Sequence, residues 1–597
     1  MAYIPTTVTS AKDSSRIGAQ LALPTSGVYL SDGTSFGNDA QAAVLSNYDV
    51  THTGLCARGG AKRCFDIPDS ASDIYSITKY GYNGRVIFHR GTKLYSYAEG
   101  DEVPTVLYDG LSDKRSIFVF FLSKLYIYCD MHVYSVDDTF AVTEEFADAP
   151  TAYENVLNGN HAKIKEGFVP NLLSPRITLK FQKRSATVFS FPALCDVERR
   201  VEVYVDGERA DESEYTLTDT AVRFKNETED NEVQVVYYVA KSDWHQIGYE
   251  DILYNCDRAV AYGGNTANGT RLFFSGDGKN KGKYYISSLK NPLNVDADSY
   301  EIIGDGCENI TGFMKMYGSL MVFTEKSVFR MSYDYDGEKG AIFSVKELNS
   351  GIGCDIPDSI ELIDNRVVFA NSDKGVFIID SGNELGEHNI KPISGNILKG
   401  RGKGFLDNTK EERLSAFGVD FGRKYMLCVA DRIYIWDYDK SAFSDAGSYS
   451  KAQNRLIWYM YEGVRGNGFA AWSDRLMIYS TDENTFISFG TDNNKEDGFS
   501  SSLLLDETDF SLPVTKKSIV GAELVIRADK GTRTVLSLYS DGEKYYSVSI
   551  NAPPEKMLPV RLSLPAKALY RFSLGIDTYG GGIDINGISV KYKIHAK

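Results

Sequence analysis

The sequence predicts an all-β protein: a β-propeller of about seven blades with an inserted β-sandwich and a C-terminal β-sandwich or jelly-roll domain. Three observations carry this expectation. Short β-branched or aromatic runs flank turn residues, as in RVVFANSDKGVFIID (366–380), where Val367, Val368 and Phe369 precede Asn371, Ser372, Asp373 and Gly375. The same strand–turn–strand pattern recurs along the chain in sets of three or four. Composition agrees, with 39 Tyr, 31 Phe and 53 Gly among 597 residues and no long amphipathic run of Ala, Leu, Glu and Lys.

Residues 1–70 form an N-terminal arm rich in Gly, Ser and Asp, with an expected ring-closing strand at 27–30 (GVYL). The first part of the propeller occupies 71–169, in sets such as IYSITKY (74–80), RVIFH (85–89) and KLYSY (93–97), then RSIFVFF (115–121), KLYIYC (124–129) and HVYSV (132–136). Residues 170–243 break the pattern. Val201, Val203 and Val205 alternate with other residues into an Asp206-Gly207 turn, and Val233, Val235 and Tyr237 make a second alternating set, which predicts an inserted β-sandwich.

The second part of the propeller covers 244–495. It includes RLFFS (271–275), SLMVFT (319–324), the 366–380 hairpin, KYMLCVA (424–430) and RLMIYS (475–480). The last set lacks a fourth strand. A strand from the other end of the chain closes such rings and removes two open sheet edges, the role expected for 27–30. After a linker, TDNNKEDG (491–498), residues 500–597 contain AELVIRAD, TVLSLYSDGEKYYSVSI and GISVKYKI, whose alternation predicts the C-terminal β-sandwich.

The formal net charge is −16, which does not suit gripping phosphate but does suit a channel that DNA passes without sticking. Eight scattered cysteines without a CxxC, and seven dispersed histidines, point to reduced, mostly buried thiols and to no zinc site. No apolar run reaches membrane-spanning length, and MAYIPTTVTSAKDSSR lacks a hydrophobic signal core, which argues against Sec export.

No catalytic, cofactor-binding or metal-ligating residue is assigned, and no cofactor is expected. GxSxG occurs as GTSFG (33–37), but Ser35 lacks the preceding strand and following helix of a nucleophile elbow. An EF-hand register from Ser332 places Asp334, Asp336 and Gly337, then puts Phe343 where a bidentate Glu belongs. Other Gly-rich stretches, YGGNTANGT (262–270) and TYGGGID (578–584), read as turns. Two turn tips, 332–340 and 372–375, are the candidate functional surfaces.

Several segments carry a resemblance to a known family. They are CARGGAKRCFDIPD…GRVIFHRGTKLYSY (56–97), NLLSPRITLKF with the following VYVDGE and YTLTDTAVRF, AYGGNTANGTRLFFSGD…NITGF (261–313), GSLMVFTEKSVFRM (318–331) and GIGCDIPDSIELIDNRVVFANSDKGVFIID (351–380). Over roughly 50–400 the chain resembles tailed-bacteriophage β-propeller tail proteins of the tail nozzle or packaged-DNA stabilisation type. Asn291-Pro292 departs from the acidic-Pro pair more usual there. The resemblance implies a virion protein made in the host cytoplasm. It implies a homo-oligomeric ring of six copies, and contacts with an adaptor, a tail tube or fibres. DNA would pass through the channel without specific binding.

Three functions therefore compete. The first is a structural, non-enzymatic ring that channels or retains the genome and contributes to host attachment. The second is a protein that binds a host-surface glycan through the C-terminal sandwich or a propeller face. The third, a propeller glycan hydrolase or lyase, requires converging carboxylates.

Overall fold

The computed structural model describes residues 16–30, 40–51, 53–67, 73–158, 163–165, 167–249, 252, 255–264, 270–276, 278–338, 340–380, 389–441, 456–472, 475–480, 484–489, 499–553 and 556–595. GTSFG with Ser35, the centre of YGGNTANGT and the 491–498 linker lie outside them. The chain divides into two compact units, Asp69–Asp355 and a second made of Met1–Pro68 with Ile356–Lys597.

The Asp69–Asp355 unit contains four antiparallel four-stranded meanders. The first runs Ile74–Ile77, Arg85–Arg90, Lys93–Ala98, Thr105–Asp109, and the next Ser116–Phe121, Lys124–Cys129, His132–Val136, Val142–Glu145. The others run Arg258–Tyr262, Arg271–Ser275, Lys283–Ile286, Tyr300–Ile302, and Ile310–Met316, Ser319–Thr324, Val328–Asp336, Gly340–Asn349. Burial falls from the middle strands outward. Ser319–Thr324 is buried at every position, whereas the edge strand Tyr300–Ile302 is exposed at every position. A strand covered on both faces is selected for an unbroken apolar run, and an edge strand is not.

Tight turns set the register. Phe121 opposes Lys124 across Leu122 and Ser123, which have φ of 48° and 65°. That is the double left-handed geometry of a turn matched to strand twist, here without a glycine. Asp206-Gly207 makes the expected turn, placing Tyr204 opposite Arg209.

The inserted body has a five-stranded and a three-stranded sheet. Its core includes Ile177, Leu179, Phe189, Val203, Val235 and Tyr237. It reaches beyond 170–243 at both ends. Thr151–Tyr153 pairs in parallel with Arg176–Lys180, and the short helix Trp244–Ile247 buries Trp244, whose indole N–H donates to the Val239 carbonyl at 2.8 Å.

The other unit contains three more meanders. They are Glu361–Ile363, Arg366–Asn371, Gly375–Asp380, Asn389–Pro392; then Phe417–Phe421, Lys424–Val429, Arg432–Asp437, Trp458–Glu462; then Gly468–Trp472, Arg475–Ser480, Thr485–Phe489. The fourth strand of the last is Ala61–Asp66, paired with Thr485–Phe489. This corrects the expectation for 27–30. Val28 and Leu30 are fully buried, and their N–H groups donate to the Trp458 carbonyl at 2.7 Å and the Asn396 carbonyl at 2.9 Å, away from that sheet edge.

The C-terminal sandwich is not self-contained. One of its sheets holds Tyr48–Val50, Leu55–Ala57, Ile583–Ile594, Lys517–Ala528 and Leu558–Ser563, with Arg16–Leu21 on Ile583–Ile594. In the other, Ala42–Ser46 lies between Trp458–Glu462 of a meander and Ser501–Leu505 of the sandwich. The result is one nine-stranded sheet running from Phe417–Phe421 to Glu543–Ile550.

Candidate functional site

Polar side chains fasten this shared sheet. Asn47, at φ 61°, accepts from the Glu462 N–H at 3.0 Å and from Arg58 Nε at 2.9 Å, and donates to the Ser500 carbonyl at 2.7 Å. Its amide acts as an extra peptide group between three chain segments. The Glu462 carboxylate accepts from Ser46 Oγ at 2.6 Å and from Lys403 Nζ at 2.7 Å. Burial opposes ionisation of Glu462. Hydrogen bonds from Lys403 and Ser46, with the charges of Lys403 and Arg432, outweigh it and hold the carboxyl below its ordinary range. Asp49 accepts from Lys424 Nζ at 2.8 Å and from the Tyr461 hydroxyl at 2.8 Å, and the Arg58 guanidinium lies 4.1 Å from the centre of the Phe499 ring.

The two turn tips fare differently from expectation. At 332–340 the chain is a paired ribbon, with Asp336 opposite Gly340 and Asp334 opposite Ile342, so Asp334 and Asp336 sit on a strand and only Glu338 of the acidic residues lies in the turn. Tyr333 and Phe343 pack against an apolar core shared with the 258–302 meander, while Tyr335 is 65% exposed. At 372–375, Ser372 is fully buried and Asp373 pairs with Lys410 Nζ at 3.0 Å. Gly375, at φ 94°, lies where a Cβ would meet Ser394 and Leu398. Ser372 and Gly375 are thus packed against their own unit, while Asp373 and Lys374 between them are exposed. Among the described residues no group of three or more His, Cys, Asp or Glu is arranged to hold a metal. All eight cysteines are free thiols, five of them buried.

A cleft of about 250 Å³ opens in the Asp69–Asp355 unit. The buried Ile117, Leu173 and Ile252 line it as an apolar floor, and Arg115, Asp130, His132 and Asp257, whose side chains reach solvent, line it as a rim. Arg115 pairs with Asp257 at 3.0 Å, Lys114 with Asp130 at 3.0 Å, and His132 Nδ1 lies 2.7 Å from Glu144. Gly276, at φ 95°, leaves space that the Asp257 carboxylate fills, since a Cβ there would collide with it. These rim residues come from three separate chain regions, so no local spacing announces them.

The C-terminal sandwich does not gather exposed aromatics. Tyr570 and Tyr579, 48% and 53% exposed, flank Ser573–Tyr579 at opposite ends. A strand of that length separates them by about 20 Å or more, too far for one sugar ring to stack on both.

No protein-family model matches the chain, and no curated protein matches it. Among solved structures it is similar to TmCBM61 in complex with β-1,4-galactotriose, at 14% identity over 17% of this chain with a TM-score of 0.12; the chain spans 65% of that protein's length. It is similar to Kluyveromyces lactis Hsv2 at 8% identity, covering 73% of this chain and 93% of that one, with a TM-score of 0.31. It is also similar to an exo-β-1,3-galactanase from Phanerochaete chrysosporium with β-1,3-galactotriose, at 8% identity over 89% of this chain and all of that one, with a TM-score of 0.21. At these scores the likeness identifies neither a family nor a function.

Proposed function

We propose that the chain is a non-catalytic structural protein of a bacteriophage tail, assembling as a ring of six around a passage for DNA and contributing to host attachment. The observation that carries this reading is the nine-stranded sheet. A meander, an N-terminal strand and the C-terminal sandwich share one hydrogen-bonded sheet, so backbone bonds join parts of the unit far apart in sequence. In this reading the four-stranded meanders are the blades of the propeller expected from the sequence, and the net charge of −16 disfavours DNA adhering. The segments resembling tail nozzle proteins supply the virion context. Light scattering of the purified chain, with electron microscopy of the particle, tests the proposal. A sixfold ring on the tail axis is expected. A chain that stays monomeric and is missing from purified virions would overturn it.

A second reading, binding of a host-surface glycan, is favoured by the cleft floored by Ile117, Leu173 and Ile252 and rimmed by mixed charge. Apolar floors with a few polar groups are how small ligands are oriented. A glycan array probed with the full chain tests it, with retention on at least one glycan expected.

A further inference from the structure

We propose that the Asp130–Asp257 cleft is a binding site for one neutral, sugar-sized polyhydroxyl ligand; this rests on the glycan-binding reading and assigns it a place and a chemistry. Its size comes first. At about 250 Å³ the cleft falls below the roughly 300–1,000 Å³ of pockets for drug-sized molecules, so it suits one pyranose ring, free or as one residue of a longer glycan.

Charge then selects the ligand. Asp130 is paired with Lys114, and Asp257 with Arg115 and Arg258, so a charged ligand of either sign would meet a like charge without finding an unmatched opposite one. A neutral ligand bearing hydroxyls avoids both penalties, because each hydroxyl donates to a carboxylate and accepts from a guanidinium. The carboxylates keep capacity for this. An ionised carboxylate offers about four acceptor sites. Asp130 meets Lys114 at 3.0 Å and Ser112 Oγ at 3.3 Å, while Asp257 meets Arg115 at 3.0 Å and Arg258 at 3.6 Å.

These contacts also hold the rim in place before any ligand arrives, which lowers the ordering cost of binding. The Asp130 side chain is only 14% exposed and that of Asp257 25%. Gly276 belongs to the same device: its lack of a side chain lets Asp257 sit where it does. Ile117, Leu173 and Ile252 then offer the C–H face of a ring an apolar surface.

Saturation-transfer NMR on the full chain tests this with D-glucose, D-galactose and N-acetyl-D-glucosamine as neutral probes, D-glucuronate as the anion and D-glucosamine as the cation. At least one neutral probe is expected to bind with a Kd on the order of 1 mM, with both charged probes weaker. Asp257→Asn and Asp130→Asn should each weaken binding about tenfold or more, at unchanged circular dichroism and melting temperature. Should Asp257→Asn disturb the fold, Asp130→Asn alone decides. Preference for a charged probe, or neutral binding indifferent to a folded variant, overturns the site. The glycan array separates the two readings. Retention on the array that survives both substitutions rejects the cleft and keeps glycan binding, whereas a blank array together with no neutral probe bound by NMR rejects both.

Discussion

The Ser46 hydroxyl donates to the Glu462 carboxylate at 2.6 Å, although 416 positions separate the two residues. Lys403 Nζ reaches both oxygens of the same carboxylate, at 2.8 and 2.7 Å. Glu462 thus ties the N-terminal segment to a meander and to the loop that carries Lys403. Replacing it by Ala leaves two half-buried cations without their partner and should destabilise the chain by roughly 1–3 kcal/mol at pH 7. Because the folded carboxyl titrates below its ordinary value of 4.5, its contribution is present above that value and is lost as pH falls through the lower folded one. Urea unfolding of both proteins at pH 7 and in acid checks this: the difference between them should shrink in acid.

His89 is fully buried, with Nδ1 2.8 Å from Ser116 Oγ and Nε2 2.9 Å from the Gly91 carbonyl. Burial pushes its pKa down to about 4. The neutral ring is therefore favoured by folding. Its stabilising contribution is complete above the unfolded value near 6.5 and is lost as pH falls from there towards 4, by roughly 2–4 kcal/mol. A ring-proton NMR titration of His89 should show no protonation down to about pH 5. An ordinary midpoint near 6.5 would contradict this.

Asp506 moves in the opposite direction. Burial, with neighbouring Glu507 opposing ionisation and Arg401 partly offsetting both, raises its carboxyl to about 6, and its Oδ2 has no hydrogen-bond partner. A raised carboxyl contributes fully below its unfolded value, and that contribution is lost as pH rises through about 6. Asp506→Asn should therefore stabilise the chain at pH 7 by about 1 kcal/mol, after allowance for solvent screening, and hardly at all at pH 4. Thermal melts at the two pH values check it.

Leu122 holds φ at 48°, a region costly for a bulky side chain, and is 45% exposed. Leu122→Asn supplies a residue that tolerates this geometry and should add about 0.5–1 kcal/mol. A denaturant midpoint below that of the natural chain would refute the assignment of strain.

The meanders were legible because their central strands are written in unbroken apolar letters. Gly375–Asp380, buried throughout, was recognisable for that reason. The closing strand was not. AKRCFD at Ala61–Asp66 buries only Phe65, so an edge strand held by backbone bonds looks polar, while the fully buried Val28 and Leu30 mimic a strand. The Asp-rich 332–340 stretch suggested a loop because charged residues on an exposed ribbon resemble those of a cation site. Likewise, Arg115, Asp130 and Asp257 approach one another only through folding, and no spacing in the sequence encodes that.

The strand Ala42–Ser46 bonds to Gly27–Tyr29 at its first residue, Ala42, while its other partners among the described residues lie near 458–462 and 501–505. On the ribosome it emerges hundreds of residues before either. Beyond Ala42 its hydrogen-bonding groups wait for those later partners through most of translation, a period in which an unpaired strand invites foreign pairing. Completion of this unit is thus a late event that only a finished polypeptide can reach. A chain cut before Ser501 would leave Ala42–Ser46 without that partner and its edge open to foreign pairing.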